Sequence, residues 1–164
     1  MYEADYSFLL SVNWKKACHQ AYKLQKLNEG QYGSVPGKEC TTVTLLEELR
    51  RGYSELTQTP YADTDEDAEA CYDRILMAIA SIVSKKYGVH KELVVVQADT
   101  LEEAEYKLKT SGKVSKASYK NCLRFPIHGS GQGSSNSPYT WLFVSIILFD
   151  VYETKSFGMN FKTP

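Results

Sequence analysis

Two stretches of this sequence concentrate residue types that do chemistry. The first is acidic: Asp63, Asp65, Glu66, Asp67, Glu69 and Asp73 crowd into one short segment. Carboxylates at that density suit a hard divalent cation, which takes oxygen ligands. A calcium loop of the EF-hand type is excluded. Counting from Asp63, its sixth position is Ala68 instead of glycine and its twelfth is Arg74 instead of glutamate. A metal-binding segment and a solvated acidic turn both remain open. The second stretch is the loop Gly129-Ser130-Gly131-Gln132-Gly133-Ser134-Ser135-Asn136-Ser137-Pro138. It lacks the Lys-Ser/Thr pair of a P-loop and the G-x-S-x-G frame of a hydrolase nucleophile elbow. Ser137-Pro138 opens an apolar run. The cysteines (Cys18, Cys40, Cys71, Cys122) and histidines (His19, His90, His128) lack the clustered spacing of a zinc site. Reduced, buried thiols in an intracellular protein are expected.

Elements of regular structure must hold these stretches in place. Val12, Ala17, Ala21, Leu24 and Leu27 recur mostly at three- and four-residue steps, which predicts an amphipathic helix from Val12 to Leu27. The segment N-E-G-Q-Y-G-S-V-P-G breaks it. A second helix is expected from about Thr41 to Leu56, with Val43, Leu46, Leu49 and Tyr53 on one side, ending before Pro60. Ile75 to Tyr87 has helical content, with Gly88 where a C-terminal cap belongs. Lys91 to about Leu101 reads as a helix or a helix-strand pair. Tyr106, Leu108 and Thr110 alternate with lysines, and S-G-K then leads to Val114, the pattern of a hairpin. A short strand is expected near Leu123 to Ile127. Pro138 stands at the tolerated first turn of an apolar helix containing Trp141 to Phe149. That run is far shorter than the roughly 20 residues that span a bilayer, so it reads as a core helix. No repeat or linker interrupts the chain, and one α+β domain is expected.

Composition narrows the function classes. Hydrophobic residues at 43% and charged residues at 24% of a 164-residue chain are those of a globular domain with a sizeable core. Tyrosine is abundant, 12 against 6 Phe and 2 Trp, which suits partly wet grooves because the ring is apolar and the hydroxyl is not. A net charge of −1 and a pI near 6.3 count against an autonomous nucleic-acid-binding domain, which draws most of its affinity from phosphate neutralisation. They count less against a piece whose basic partner segments lie elsewhere. Tyr2, Glu3 and Asp5 occupy the place of a basic signal-peptide start, so an intracellular location, nuclear or cytoplasmic, is expected.

Taken together, the two stretches resemble motifs of one enzyme family. Asp67-Ala68-Glu69-Ala70-Cys71-Tyr72-Asp73 resembles motif A of reverse transcriptases, Asp-x-x-x-Ala-aromatic-Asp at the end of a palm strand, and its continuation C-Y-D-R-I is close to forms in non-LTR-type retroelements. The loop from Gly129 to Pro138 resembles motif B, Gly-x-Pro-Gln-Gly-x-x-x-Ser-Pro, which joins a strand to a helix. The two stand in the family's order, about sixty residues apart. Glu29-Gly30-Gln31-Tyr32-Gly33-Ser34-Val35-Pro36-Gly37-Lys38 looks like the fingers segment, Gln-aromatic-Gly-x-Arg-x-Gly-Arg. The resemblance runs from about residue 15 to the end.

It implies an α+β fold that is a partial right-hand polymerase, fingers plus the first half of the palm. Residues of about 11–60 would be fingers-like helices, and about 61–164 a partial palm with inserted fingers elements. The implied activity is that of an RNA-directed DNA polymerase, a nucleotidyltransferase acting on an RNA template, a DNA or RNA primer and deoxynucleoside triphosphates, with no membrane partner. Two Mg²⁺ ions would stabilise the attacking and leaving oxygens. By resemblance Asp67 is the catalytic metal ligand, helped by the carbonyl of Ala68. Tyr72 would pack under the sugar and reject a 2′-hydroxyl, Gln132 would line the nucleotide pocket, and Lys38 would meet the triphosphate as a point charge.

The sequence departs from the family pattern in three places. The aromatic-x-Asp-Asp turn expected after motif B is absent up to Pro164, and Asp150 falls within the apolar helix. The chain alone is therefore expected to be inactive. Val35 stands where the pattern has arginine, and the residues before Asp67 are unusually acidic for a palm strand. Two rival readings are a catalytically dead RNA- or protein-binding scaffold and a retrotransposon relic without a biochemical role. Retention of Asp67, Tyr72 and Gln132 favours an enzyme-derived, truncated piece.

Overall fold

The computed structural model describes residues 3–62, 68–122, 127–130 and 134–155. Its architecture is α+β: helices α1 (Glu3–Lys23), α2 (Cys40–Thr57), α3 (Met77–Lys86), α4 (Lys91–Glu103) and α5 (Ser137–Thr154), with short strands β1 (Glu105–Tyr106), β2 (Lys109–Thr110), β3 (Lys113–Val114) and β4 (Tyr119–Lys120). The strands form two antiparallel pairs, β1 with β4 and β2 with β3. They are nested on one hairpin arm. Ser111 and Gly112 turn its tip with φ of 46° and 78°, two left-handed residues in succession, as the right-handed twist of a tight hairpin requires.

α1 differs from its expected span at both ends. Its core face is Leu10, Trp14, Ala17, Cys18 and Ala21, all buried, a stripe at helical spacing. Val12, expected on that face, is 46% exposed. The helix stops early because Gln25 adopts φ 53° and the amide of Lys26 donates to the carbonyl of Ala21 at 2.9 Å, a Schellman-type end. Leu24 and Leu27 therefore lie beyond it. α3 ends on Gly88, at φ 96°, with the Val89 amide on the Ser84 carbonyl at 3.0 Å. Here the expected glycine cap is present. α4 is a helix throughout, and Pro138 does sit in the first turn of α5.

The core joins α1, α3, α4 and α5. Leu142, Phe143 and Ile146 of α5 pack with Trp14, Cys18, Val83, Tyr87, Val89 and Val94. Tyr87 stacks on Phe143 with ring centroids 4.9 Å apart and planes 11° from parallel, worth about 0.5–1.5 kcal/mol beyond burial. Only half of α5 is covered: Ile147, Leu148 and Val151 remain between 47% and 49% exposed. α2 has the expected boundaries but buries only Ser54, and Leu49 and Tyr53, expected on its inner side, are exposed with Leu45 and Leu56. The expected strand at Leu123 to Ile127 falls, apart from Ile127, outside the described residues. No described helix is long and apolar enough to cross a membrane.

Candidate functional site

The acidic segment is described from Ala68 onward; Asp67 lies outside the described residues. From Ala68 to Arg74 the chain makes a tight turn. Ala70 takes φ 50°, and its carbonyl accepts from the amides of Asp73 at 2.9 Å and Arg74 at 3.1 Å. Ala68 and Asp73 are exposed, and Tyr72 is half-buried. Arg74 pairs with Glu69 at 2.8 Å on an exposed surface, a contact that contributes little to stability.

The glycine-serine loop meets this turn directly. The Ser130 amide donates to the Tyr72 carbonyl at 2.8 Å, and the Gly129 amide to the Ile75 carbonyl at 2.9 Å. Two segments far apart in sequence thus share a short backbone ladder. Gly129 makes the approach possible: it has φ 107°, and a Cβ there would stand 2.7 Å from both Asp73 Cα and the Tyr72 carbonyl oxygen. Any side chain would push the two segments apart. On the other side of the loop, the Ser137 hydroxyl donates to the Ser130 carbonyl at 3.1 Å and Ser134 Oγ to Asn136 Oδ1 at 2.7 Å. The Ser135 hydroxyl donates to the Ser7 carbonyl at 2.8 Å, tying the loop to α1. Asn136 is fully buried, and among the described residues its Nδ2 has no partner, as is true of the buried Ser130 Oγ. Gln132 lies outside the described residues.

The fingers-like segment joins the same helix. Gln31 is buried, and its Nε2 donates to the Leu142 carbonyl and to Ser145 Oγ, each at 2.9 Å. Asn28 Nδ2 reaches Glu153 Oε1 at 2.7 Å. Val35, the departure from the arginine pattern, is 5% exposed within the core cluster. An arginine there would have to carry its charge out of an apolar site, whereas valine fills it. Lys38 is turned back on its own loop, donating to the Glu29 carbonyl and standing 4.7 Å above the Tyr32 ring. α5 is therefore the spine of the site, with the acidic turn and the glycine-serine loop at its N-terminal end and Gln31 against its middle.

Two hollows flank the junction. One, of about 390 Å³, lies between the turn and α5, with Ala68, Cys71, Arg74, Trp141 and Val144 in its walls. The other, of about 260 Å³, is bounded by Leu76, Leu101, Tyr106, Ile127, His128 and Gly129. Among the described residues no three His, Cys, Asp or Glu side chains converge as a metal site. Of the expected metal ligands only Ala68 is described. Neither Gln31 nor Gly129 was expected as a site residue. A glycine opening the loop was the available signal for the close approach; nothing local signalled the docking of Gln31. No family model, curated protein or solved structure matches the chain.

Proposed function

We propose that this chain carries the fingers and the first half of the palm of an RNA-directed DNA polymerase of non-LTR retroelement type. The observation that supports this most is the junction: the motif A-like turn and the motif B-like loop are hydrogen-bonded through Tyr72 with Ser130 and Ile75 with Gly129. A pocket that must hold a nucleotide between two such segments needs them adjacent, because positioning supplies much of the catalysis in phosphoryl transfer. The docking of Gln31 on α5 supports it further, since it draws the fingers-like segment to the same helix.

In this reading Asp67, with the carbonyl of Ala68, contributes to holding Mg²⁺, and the ions supply charge neutralisation to the triphosphate. Tyr72 bounds the sugar side of the pocket and excludes a 2′-hydroxyl, Gln132 lines the nucleotide, and Lys38 supplies a cation to the phosphates once released from the Glu29 carbonyl. The chain alone does not extend a primer.

Titration calorimetry with a deoxynucleoside triphosphate tests this. Binding is expected in Mg²⁺, lost with chelator, and reduced at least tenfold by Asp67→Asn. Nucleotide binding indifferent to both metal and Asp67, or none at all, would refute it. RNA binding unchanged by chelator, without nucleotide binding, would instead support the scaffold reading. Sequencing the coding DNA past the codon for Pro164 gives an independent check: the reading frame is expected to continue into an aromatic-x-Asp-Asp turn.

A further inference from the structure

We infer that the lysine-rich hairpin from Glu105 to Lys120 is an arm that holds a nucleic-acid strand by its phosphates beside the junction of the motif A turn and motif B loop. Charge is the first ground. From Tyr106 to Phe149 the chain has no Asp or Glu, although the whole protein is net −1. The hairpin carries Lys107, Lys109, Lys113, Lys116 and Lys120, all exposed. Lys120 pairs with Glu105 at 3.1 Å. Among the described residues the other four form no ion pair, so they present uncompensated charge to a polyanion.

Position is the second ground. The arm is rooted at the candidate site, where Tyr106 shares the walls of a hollow with Gly129 and His128. From that root the tip extends roughly 15 Å, at about 3.3 Å per residue, far enough to follow several phosphates of a strand leaving the site.

Aromatic chemistry is the third. Tyr106 and Tyr119 stack across β1 and β4 with centroids 5.3 Å apart, and Tyr119 is 50% exposed. A braced, half-exposed ring flanked by lysines is the combination that binds single strands, phosphate on the cations and base on the ring. A membrane surface fits less well, because the exposed apolar residues of the arm, Leu108 and Val114, are few. The inference rests on the polymerase reading for the route of the strand, but its charge and geometry do not depend on that reading.

Fluorescence anisotropy with a labelled single-stranded RNA of about 20 nucleotides tests it, in chelator and across a salt series. Replacing Lys107, Lys109, Lys113 and Lys116 together by Gln is expected to weaken binding at least tenfold at low salt. The slope of log affinity against log salt should fall by about 2–3, given roughly 0.7 per phosphate contact on a single strand. The comparison variant Lys15→Gln/Lys16→Gln/Lys23→Gln removes three exposed cations of α1 and should stay within twofold of the parent. A hairpin variant within twofold of the parent overturns the inference, as does loss confined to the α1 variant. So does hairpin-dependent binding to phosphatidylserine vesicles that RNA cannot displace. Hairpin-dependent RNA binding without Mg²⁺-dependent nucleotide binding would sink the polymerase reading and leave the arm standing. The opposite pair of results would sink the arm alone.

Discussion

Gly129→Ala is the substitution that bears most directly on the site. In the structure this residue has φ 107°, and an added Cβ would stand 2.7 Å from Asp73 Cα and the Tyr72 carbonyl oxygen. Both are backbone atoms of the opposing turn and cannot swing away as a side-chain tip would. Holding a side-chain-bearing residue in such a backbone conformation costs about 1–3 kcal/mol. Relief of the overlap must separate the two segments, and the hydrogen bonds Ser130 to Tyr72 and Gly129 to Ile75 then weaken at about 0.5–1.5 kcal/mol each. The expected loss is therefore about 2–6 kcal/mol, a large share of the roughly 5–15 kcal/mol that keeps a domain folded. Urea unfolding followed by fluorescence of Trp14 and Trp141 would measure it. Gly33→Ala provides the comparison: among the described residues, its two chain neighbours aside, no atom lies within 4 Å of its added Cβ, and it should shift stability by less than about 0.5 kcal/mol. A Gly129→Ala protein as stable as Gly33→Ala would refute the account of the junction.

Two further outcomes are expected from the same core and its contacts. Gln31→Leu keeps the volume but removes both donations to α5, and should cost about 1–3 kcal/mol. The same unfolding assay reads this, and nucleotide affinity should fall with it if the fingers-like segment is held by this contact. Burial pushes the Cys18 thiol up to about 11, against about 8.5 for a free thiol. The folded state therefore keeps its proton longer than the unfolded state does. The stabilising contribution is fully present below about pH 8.5 and is lost as pH rises toward 11. Unfolding free energy should decline across that window, and Cys18→Ala should flatten the decline. Burial raises Tyr6, Tyr87 and Tyr139 in the same direction, so the variant should still lose stability at higher pH.

The parts of the fold set by neighbouring residues were legible in the sequence. Gly88 ends α3 because it alone in that stretch enters the left-handed region at no steric cost. Pro138 opens α5, Ser111-Gly112 turns the hairpin, and α2 begins and ends within a residue of expectation. Each of these depends on dihedral preferences and hydrogen bonds spanning a few positions. The family resemblance singles out Tyr72 and the loop after His128, and the Tyr72 carbonyl meets the Ser130 amide of that loop.

What covers each surface was a matter of tertiary structure. Periodicity put Val12 on the inner face of α1 and ignored Trp14, because it reports a helix's period without naming the neighbour it packs on. Val35 stands where the pattern has arginine, and it is a core residue. Leu49 and Tyr53 had the spacing of a buried stripe and stand exposed, since α2 contributes no side chain to the core cluster among the described residues. The junction at Gly129 and the docking of Gln31 join residues remote in sequence, and no local rule encodes which amide meets which carbonyl across such a gap. By itself the sequence determined where most helices start and stop and which segments concentrate residue types able to do chemistry. The packing of α5 against α1, α3 and the fingers-like loop decided which of those segments meet, because burial and long-range hydrogen bonding are properties of pairs of surfaces.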